Sequence, residues 1–234
     1  MTNQDSGPPS PSTPLTWSLS KLKTFESCPA KYRYKYLLKI DTAKSPAAER
    51  GIDMHKTVEM FIKNEIQTLP TDLDFYHGFF TYLRSQNVFP EHKVALNRNW
   101  EPVPWDSEEA WLRSVLDLKI VNEPEALLYD WKSGKIYPDH DDQKDLYGLT
   151  IFAEHPSVLR VRAIHVYLDL NKNREKLIDR DQVPELRKQW TDRVFKLERS
   201  HREQTSYIDP FIPNPGYHCV YCSFSKSQGG PCRF

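Results

Sequence analysis

The sequence predicts an α/β or α+β fold, a sheet with flanking helices. Three observations carry that expectation. Two apolar runs of strand length, 115–121 and 126–130, are separated by Glu123-Pro124-Glu125, which has the composition of a hairpin turn. A third stretch, 158–170, is rich in Val, Ile, Leu and Tyr. Helical patterns precede, separate and follow these strands, so the order is helices, a three-strand meander, helix, strand, helix.

Taken in order, residues 1–16 are rich in Ser, Thr and Pro and lack Lys and Arg, which predicts a disordered tail. Ser18 or Ser20 caps a short helix ending near Ser27, and Pro29 opens another that carries Tyr32, Tyr34, Tyr36, Leu37 and Ile40, its aromatics read mostly as core, with DNA contact by the interleaved Lys and Tyr as the alternative. A third helix opens at Arg50-Gly51 and sets Ile52, His55, Glu59, Ile62 and Ile66 on one face. Residues 91–96 form a first strand, with Glu91 facing the site or, the preferred reading, on plain surface. After the hairpin, Ser133-Gly134-Lys135 turns the chain into a helix over 142–154. Pro184 opens a long amphipathic helix carrying Leu186, Trp190, Val194 and Leu197.

The 234 residues suffice for one domain with appendages and contain no internal repeat or membrane-spanning apolar stretch. The start of the chain has no charged segment leading into an apolar one, so an intracellular, cytoplasmic location is expected. The expected organisation is a tail over 1–16 and one domain over 17–234, with 17–50 and 205–234 forming a cysteine-stapled part. The formal net charge is zero, yet the charge is unevenly spread. Residues 17–40 hold six basic side chains against Glu26, whereas 101–145 hold twelve acidic and five basic. An acidic centre beside a basic flank suits a metal site next to a phosphate-backbone track.

Alternation along a strand points Asp130 and Lys132 to one face, and pairing of the two strands can bring Asp117 beside them. Two carboxylates there repel unless a cation lies between them, and a nearby lysine can position water. That arrangement suits metal-assisted cleavage of a phosphodiester. A D-x-K match by itself is more often solvated surface; here Asp117 interrupts a run too apolar for an exposed strand. His55 is a core histidine, or a metal ligand if its helix packs on the acidic strands. Gln143 and Tyr147 share a helix face at i, i+4, either as plain surface or facing a phosphate.

The four cysteines are Cys28, Cys219, Cys222 and Cys232. Disulfides are rare inside cells, and Cys219-x-x-Cys222 does not sit where a thioredoxin-like redox pair would. Four thiolates suit zinc or an iron–sulfur cluster, either of which would close a long loop between the two ends of the chain.

In this order, Gly51-x-x-x-His55, Asp117, Asp130-x-Lys132 and Gln143-x-x-x-Tyr147 resemble the motifs of the RecB-like branch of the PD-(D/E)XK nuclease superfamily. Cys28-Pro29 with the three late cysteines resembles its iron–sulfur exonucleases, such as the CRISPR-associated exonucleases. The resemblance runs from about Ser18 to Cys232. Leu116 replaces the proline of the family's name, and nine residues separate Cys222 from Cys232, a long spacing. No P-loop is present.

The resemblance implies a restriction-endonuclease-like core with a central mixed sheet and a cysteine-stapled helical subdomain. It implies a metal-dependent exonuclease acting on DNA in recombination, repair or end processing, with a helicase or recombination protein as partner. His55, Asp117, Asp130 and the backbone carbonyl of Trp131 would hold Mg²⁺ or Mn²⁺. Lys132 would orient water, Gln143 and Tyr147 would position the scissile strand, and the four cysteines would hold a 4Fe–4S cluster, with Zn²⁺ as the alternative. The competing expectations are a non-catalytic nucleic-acid-binding or recombination-accessory protein that keeps the fold, and a zinc-stapled scaffold.

Overall fold

A computed structural model describes residues 15–43, 45–137, 140–205 and 207–234. Residues 1–14 of the expected tail lie outside the described residues. The chain divides into two compact units, one of Lys44–Trp190 and one of Met1–Ala43 with Thr191–Phe234.

The central unit is built on a six-stranded mixed sheet in the order β2-β1-β3-β4-β5-β6. Its strands are β1 (Phe89–Leu96), β2 (Pro102–Val103), β3 (Leu112–Asn122), β4 (Glu125–Lys132), β5 (Arg160–Tyr167) and β6 (Lys172–Asp179). All neighbours pair antiparallel except β4 and β5, which are parallel. The parallel pair requires a crossover, and helix α5 (Asp141–Glu154) supplies it. The turn between β3 and β4 is Glu123-Pro124, as its composition predicts.

Alternation sorts the strand residues between two layers. Leu118, Ile120, Trp131 and Val166 join a core with Met54, Val58 and Phe61 of helix α3 (Pro46–Ile62) and Phe80 and Leu83 of helix α4 (His77–Arg84). Asp117, Lys119 and Asp130 project the other way, toward α5. Gly148 lets α5 approach β6 closely, since a Cβ there would stand 2.6 Å from Ile178 Cδ1.

The structure corrects several element boundaries. Helix α3 starts at Pro46 behind the cap Ser45, whose Oγ accepts from Ala48 N at 3.2 Å. Its buried stripe is Met54, Val58, Phe61 and Ile62; of the expected face Ile62 is buried and Ile66 packs on the core, whereas Ile52 is exposed. The stretch 158–170 is shorter as a strand, because Leu168–Leu170 tightens into a 3₁₀ turn. Strands β2 and β6 were not expected; β6 is an edge strand with one buried residue, Ile178, so it lacks an apolar alternation to read.

In the second unit, helix α1 (Leu19–Ser27) is capped by Ser18, and Pro29 opens the one-turn helix α2 (Pro29–Tyr32), which continues as a π-helical turn over Arg33–Leu37. Tyr32 is buried, stacks on Phe211 at 5.8 Å and meets His201 Nε2 through its hydroxyl at 3.0 Å. Helix α6 (Val183–Glu203) contributes Val194 and Leu197 to the buried residues of this unit. Among the described residues no helix is long and apolar enough to cross a membrane.

Candidate active site

Asp117 and Asp130 meet where the β3–β4 ladder ends. Backbone pairing runs from Asn122↔Glu125 to Leu118↔Tyr129 and stops one step short of these two aspartates. There the Asp117 carboxylate takes over from the backbone: its Oδ2 accepts the Trp131 amide at 2.7 Å. Two residues after Trp131's neighbour Asp130, Lys132 Nζ stands 2.5 Å from Asp130 Oδ2, so the i, i+2 spacing does put both on one face. That oxygen is buried, and the Lys132 ammonium is paired with it.

Gln143, on the first turn of α5, ties the group together. Its Nε2 donates to Asp130 Oδ1 at 2.8 Å and to the Tyr147 hydroxyl at 2.6 Å, and its Oε1 accepts from Lys132 Nζ at 2.6 Å. A neutral amide can donate to the carboxylate and accept from the ammonium at once. From α3, His55 Nδ1 reaches Asp117 Oδ2 at 3.2 Å. All six polar side chains belong to the central unit.

The electrostatics follow from burial. Burial first, and then repulsion from Asp117, pushes the Asp130 carboxyl up to about 6, against the pull of Lys132 and His55. Burial pulls His55 down, but its hydrogen bond and charge attraction to Asp117, with Asp130 behind, carry it above the usual histidine value. Burial, then Asp130 and Asp117, raise the Tyr147 hydroxyl well above the ordinary range, so it stays a neutral donor. Repelling buried carboxylates form the environment that a divalent cation relieves. Among the described residues no three His, Cys, Asp or Glu side chains are drawn together into a ready single-ion site. Trp131 N and Lys132 Nζ instead occupy the carboxylate oxygens.

Glu91, read from sequence as surface, belongs to this neighbourhood. It lies between the pairs Pro90↔Leu118 and His92↔Leu116, at the register step opposite Asp117, and its backbone is left-handed at φ 50°. Burial, then Asp117 and Glu59, push its carboxyl up. The signal that identifies it is the β1–β3 register, a long-range pairing that local alternation does not contain.

The turn after Lys132 is anchored from two directions. Asp169 Oδ2 accepts Gly134 N at 2.7 Å, and Arg50 grips the same carboxylate with NH1 at 2.8 Å and NH2 at 2.7 Å. Gly51 sits beside this clamp; a Cβ there would stand 3.0 Å from Ser133 Oγ, so glycine lets α3 lie against the end of β4.

In the other unit, Cys28, Cys219, Cys222 and Cys232 line one cavity, and none is in a disulfide. Asn214 N donates to Cys28 Sγ and Gly216 N to Cys219 Sγ, each at 3.4 Å. The nine-residue spacing before Cys232 is accommodated by a tight return: Cys232 N donates to Phe224 O at 2.8 Å and pairs as a bridge with Ser225. Gly230 makes that return passable, since a Cβ there would fall 2.3 Å from the Phe224 carbonyl carbon.

No curated protein matches the chain. Among solved structures, the protein SSO0001 aligns with a TM-score of 0.49 and 17% identity, over 94% of this chain and 87% of its own. A protein from Eubacterium rectale, provisionally named an exonuclease, aligns with a TM-score of 0.52 and 13% identity, over 88% of this chain and 86% of its own. At that identity the likeness concerns the fold. The model of the PD-(D/E)XK nuclease superfamily matches residues 16–227, almost the whole chain, with the aspartates, lysine and glutamine described above inside it. The chain is a member of the PD-(D/E)XK nuclease superfamily.

Proposed function

We propose that this protein is a metal-dependent deoxyribonuclease of the RecB-like, iron–sulfur type, an exonuclease that processes DNA ends. The observation that carries the reading is the convergence of Asp117, Asp130 and Lys132 at the end of one hairpin, held by Gln143. Buried, mutually repelling carboxylates fit a hard divalent cation, Mg²⁺ or Mn²⁺, with His55 and the Trp131 carbonyl completing the ligands; the imidazole favours Mn²⁺. Such a cation, when bound, supplies Lewis-acid polarisation of the scissile phosphate.

The chain's own residues do the rest. Lys132 has three donors, of which Asp130 and Gln143 engage two, leaving one to orient water and meet negative charge as it develops on the phosphoryl oxygens. Gln143 fixes the rotamers of Lys132 and Asp130 before substrate arrives, and Tyr147 offers a neutral hydroxyl beside them. The four cysteines fit a 4Fe–4S cluster. Such a cluster takes four thiolates, and all four cysteines of the chain line one cavity. With no P-loop in the sequence, unwinding would fall to a helicase or recombination partner.

The test is cleavage of end-labelled linear DNA and of circular DNA with Mg²⁺, Mn²⁺ or EDTA. The expected result is metal-dependent loss of linear DNA with the circle intact. Absence of cleavage with either metal, in protein holding its cysteine cofactor, would sink the nuclease reading.

A further inference from the structure

Outside the site, the most unusual surface lies on the turn that bears the cysteines. Tyr217–Tyr221 is a five-residue 3₁₀ segment, and Tyr217 and Tyr221 at its two ends bracket Cys219. Both rings face water, at 79% and 74% exposure, and Val220 between them is 54% exposed. They are nonetheless ordered against each other. Their hydroxyls meet at 3.2 Å, and the rings stand 5.8 Å apart at an interplanar angle of 70°. An edge-to-face pair of this kind leaves ring faces open.

The unit that carries them is rich in basic residues. Residues 1–43 and 191–234, which make up this unit, carry twelve Lys or Arg against seven Asp or Glu, whereas the chain as a whole is neutral. Lys31 and His218 line the same cavity as Cys219, and Lys31 makes no ion pair among the described residues. Ordered, exposed aromatic rings with an unpaired lysine nearby suit a polyanion whose bases are unstacked and free. A duplex offers no base faces, and an apolar protein partner gains nothing from the cations.

We propose that Tyr217 and Tyr221 form a stacking platform for the bases of single-stranded DNA, with Lys31 meeting its phosphates. The platform rests on the nuclease reading above and adds the strand that such an enzyme would grip. Stacking tolerates any base, so the platform would hold a strand without reading its sequence.

The test uses the full-length, cofactor-loaded protein with an Asp117→Ala background to prevent cutting, and fluorescein-labelled oligo(dT) as the probe. Tyr217→Ala with Tyr221→Ala should weaken binding about tenfold to a hundredfold, and Tyr217→Phe with Tyr221→Phe should leave it unchanged. The alanine pair should keep the salt dependence of the parent, whereas Lys31→Ala should reduce its slope by about one. Should the alanine pair fail to hold the cofactor, Val220→Glu carries the same test and should weaken binding by repelling phosphates. Unchanged binding in a folded alanine pair, or in Val220→Glu, overturns the platform. So does a dimer in sedimentation that the alanine pair disrupts while DNA binding stays intact, which would assign the rings to a second copy.

Hydrolysis of bis(p-nitrophenyl) phosphate, in enzyme with Asp117 restored, separates the two readings because so small an ester has no base to stack. The tyrosine substitutions should leave that rate unchanged. A fall in it would relocate their effect to the hydrolytic site and overturn the platform, whereas no hydrolysis by any variant would count against the nuclease reading alone.

Discussion

Asp117 replaces a rung of the sheet: its carboxylate, and not a strand carbonyl, receives the amide of Trp131 at 2.7 Å. The strands therefore part at the point where a second carboxylate, Asp130, is buried. The main-chain donor holds one oxygen of Asp117 in place, which leaves the other to act.

Lys132→Ala and Asp117→Ala should each lower DNA cleavage by roughly two to three orders of magnitude, as loss of one charge-stabilising group does. Melting temperature and DNA affinity should stay near the parent values. Turnover of the Lys132 variant at the parent rate would remove it from the catalytic set.

Gln143→Leu should separate holding from chemistry. It removes the two N–H donations to Asp130 and Tyr147 and the carbonyl that accepts from Lys132, and leaves the charges themselves intact. The expected loss is smaller than for Lys132→Ala, about tenfold to a hundredfold in kcat with KM little changed. A change confined to KM would make Gln143 a substrate contact instead.

His55→Ala distinguishes a ligand from a packing residue. A ligand predicts that activity needs much higher Mn²⁺ or disappears, with the melting temperature nearly constant. A packing role predicts the reverse, a lower melting temperature and an unchanged metal titration.

Serine at Cys28, Cys219, Cys222 or Cys232 should abolish bound iron and the visible absorbance of anaerobically purified protein, with a lower melting temperature, because ligand binding and folding are linked. Protein that holds one zinc and no iron would leave the nuclease reading in place and overturn the cluster.

Acid should weaken the fold through a second buried group on the α5 side of the sheet. Lys119, 3% exposed, donates to Glu154 Oε2 at 2.8 Å and lies 2.8 Å from His92 Nε2 and 3.2 Å from His155 Nε2. Burial and then Lys119 depress His155, while hydrogen bonds from His92 and Lys119 outweigh burial and depress Glu154. Both folded values lie below the unfolded ones, so each contribution is complete above the unfolded pKa and is lost as pH falls through the folded one. The melting temperature should therefore drop first as pH falls below about 6.5 and again below about 4.5. His155→Gln should flatten the first drop. An identical pH profile in that variant would refute the assignment.

Those parts of the site that depend on local periodicity were legible in the sequence. The two-residue period of a strand aligned Asp130 with Lys132, and the i, i+4 spacing aligned Gln143 with Tyr147. What stayed hidden depends on pairing between distant segments. Glu91 joins Asp117 through the β1–β3 register and a left-handed backbone, neither of which leaves a local pattern. Strand β6 is charged on both faces because it is an edge, so it reads as loop. In α3, Ile52 misled because one exposed isoleucine was weighted as core, whereas Met54, Val58 and Phe61 mark the packed stripe.

The grip of Arg50 on Asp169, and of Asp169 on Gly134, sets a lower limit on how much chain can be catalytically competent. A fragment ending after α5 would contain every acidic, basic and amide group of the site and would still be missing the carboxylate that fixes the turn behind Lys132. Truncation from the C-terminal side should therefore extinguish activity before it reaches any residue that touches the reacting phosphate, at the loss of β5 and the turn that follows it.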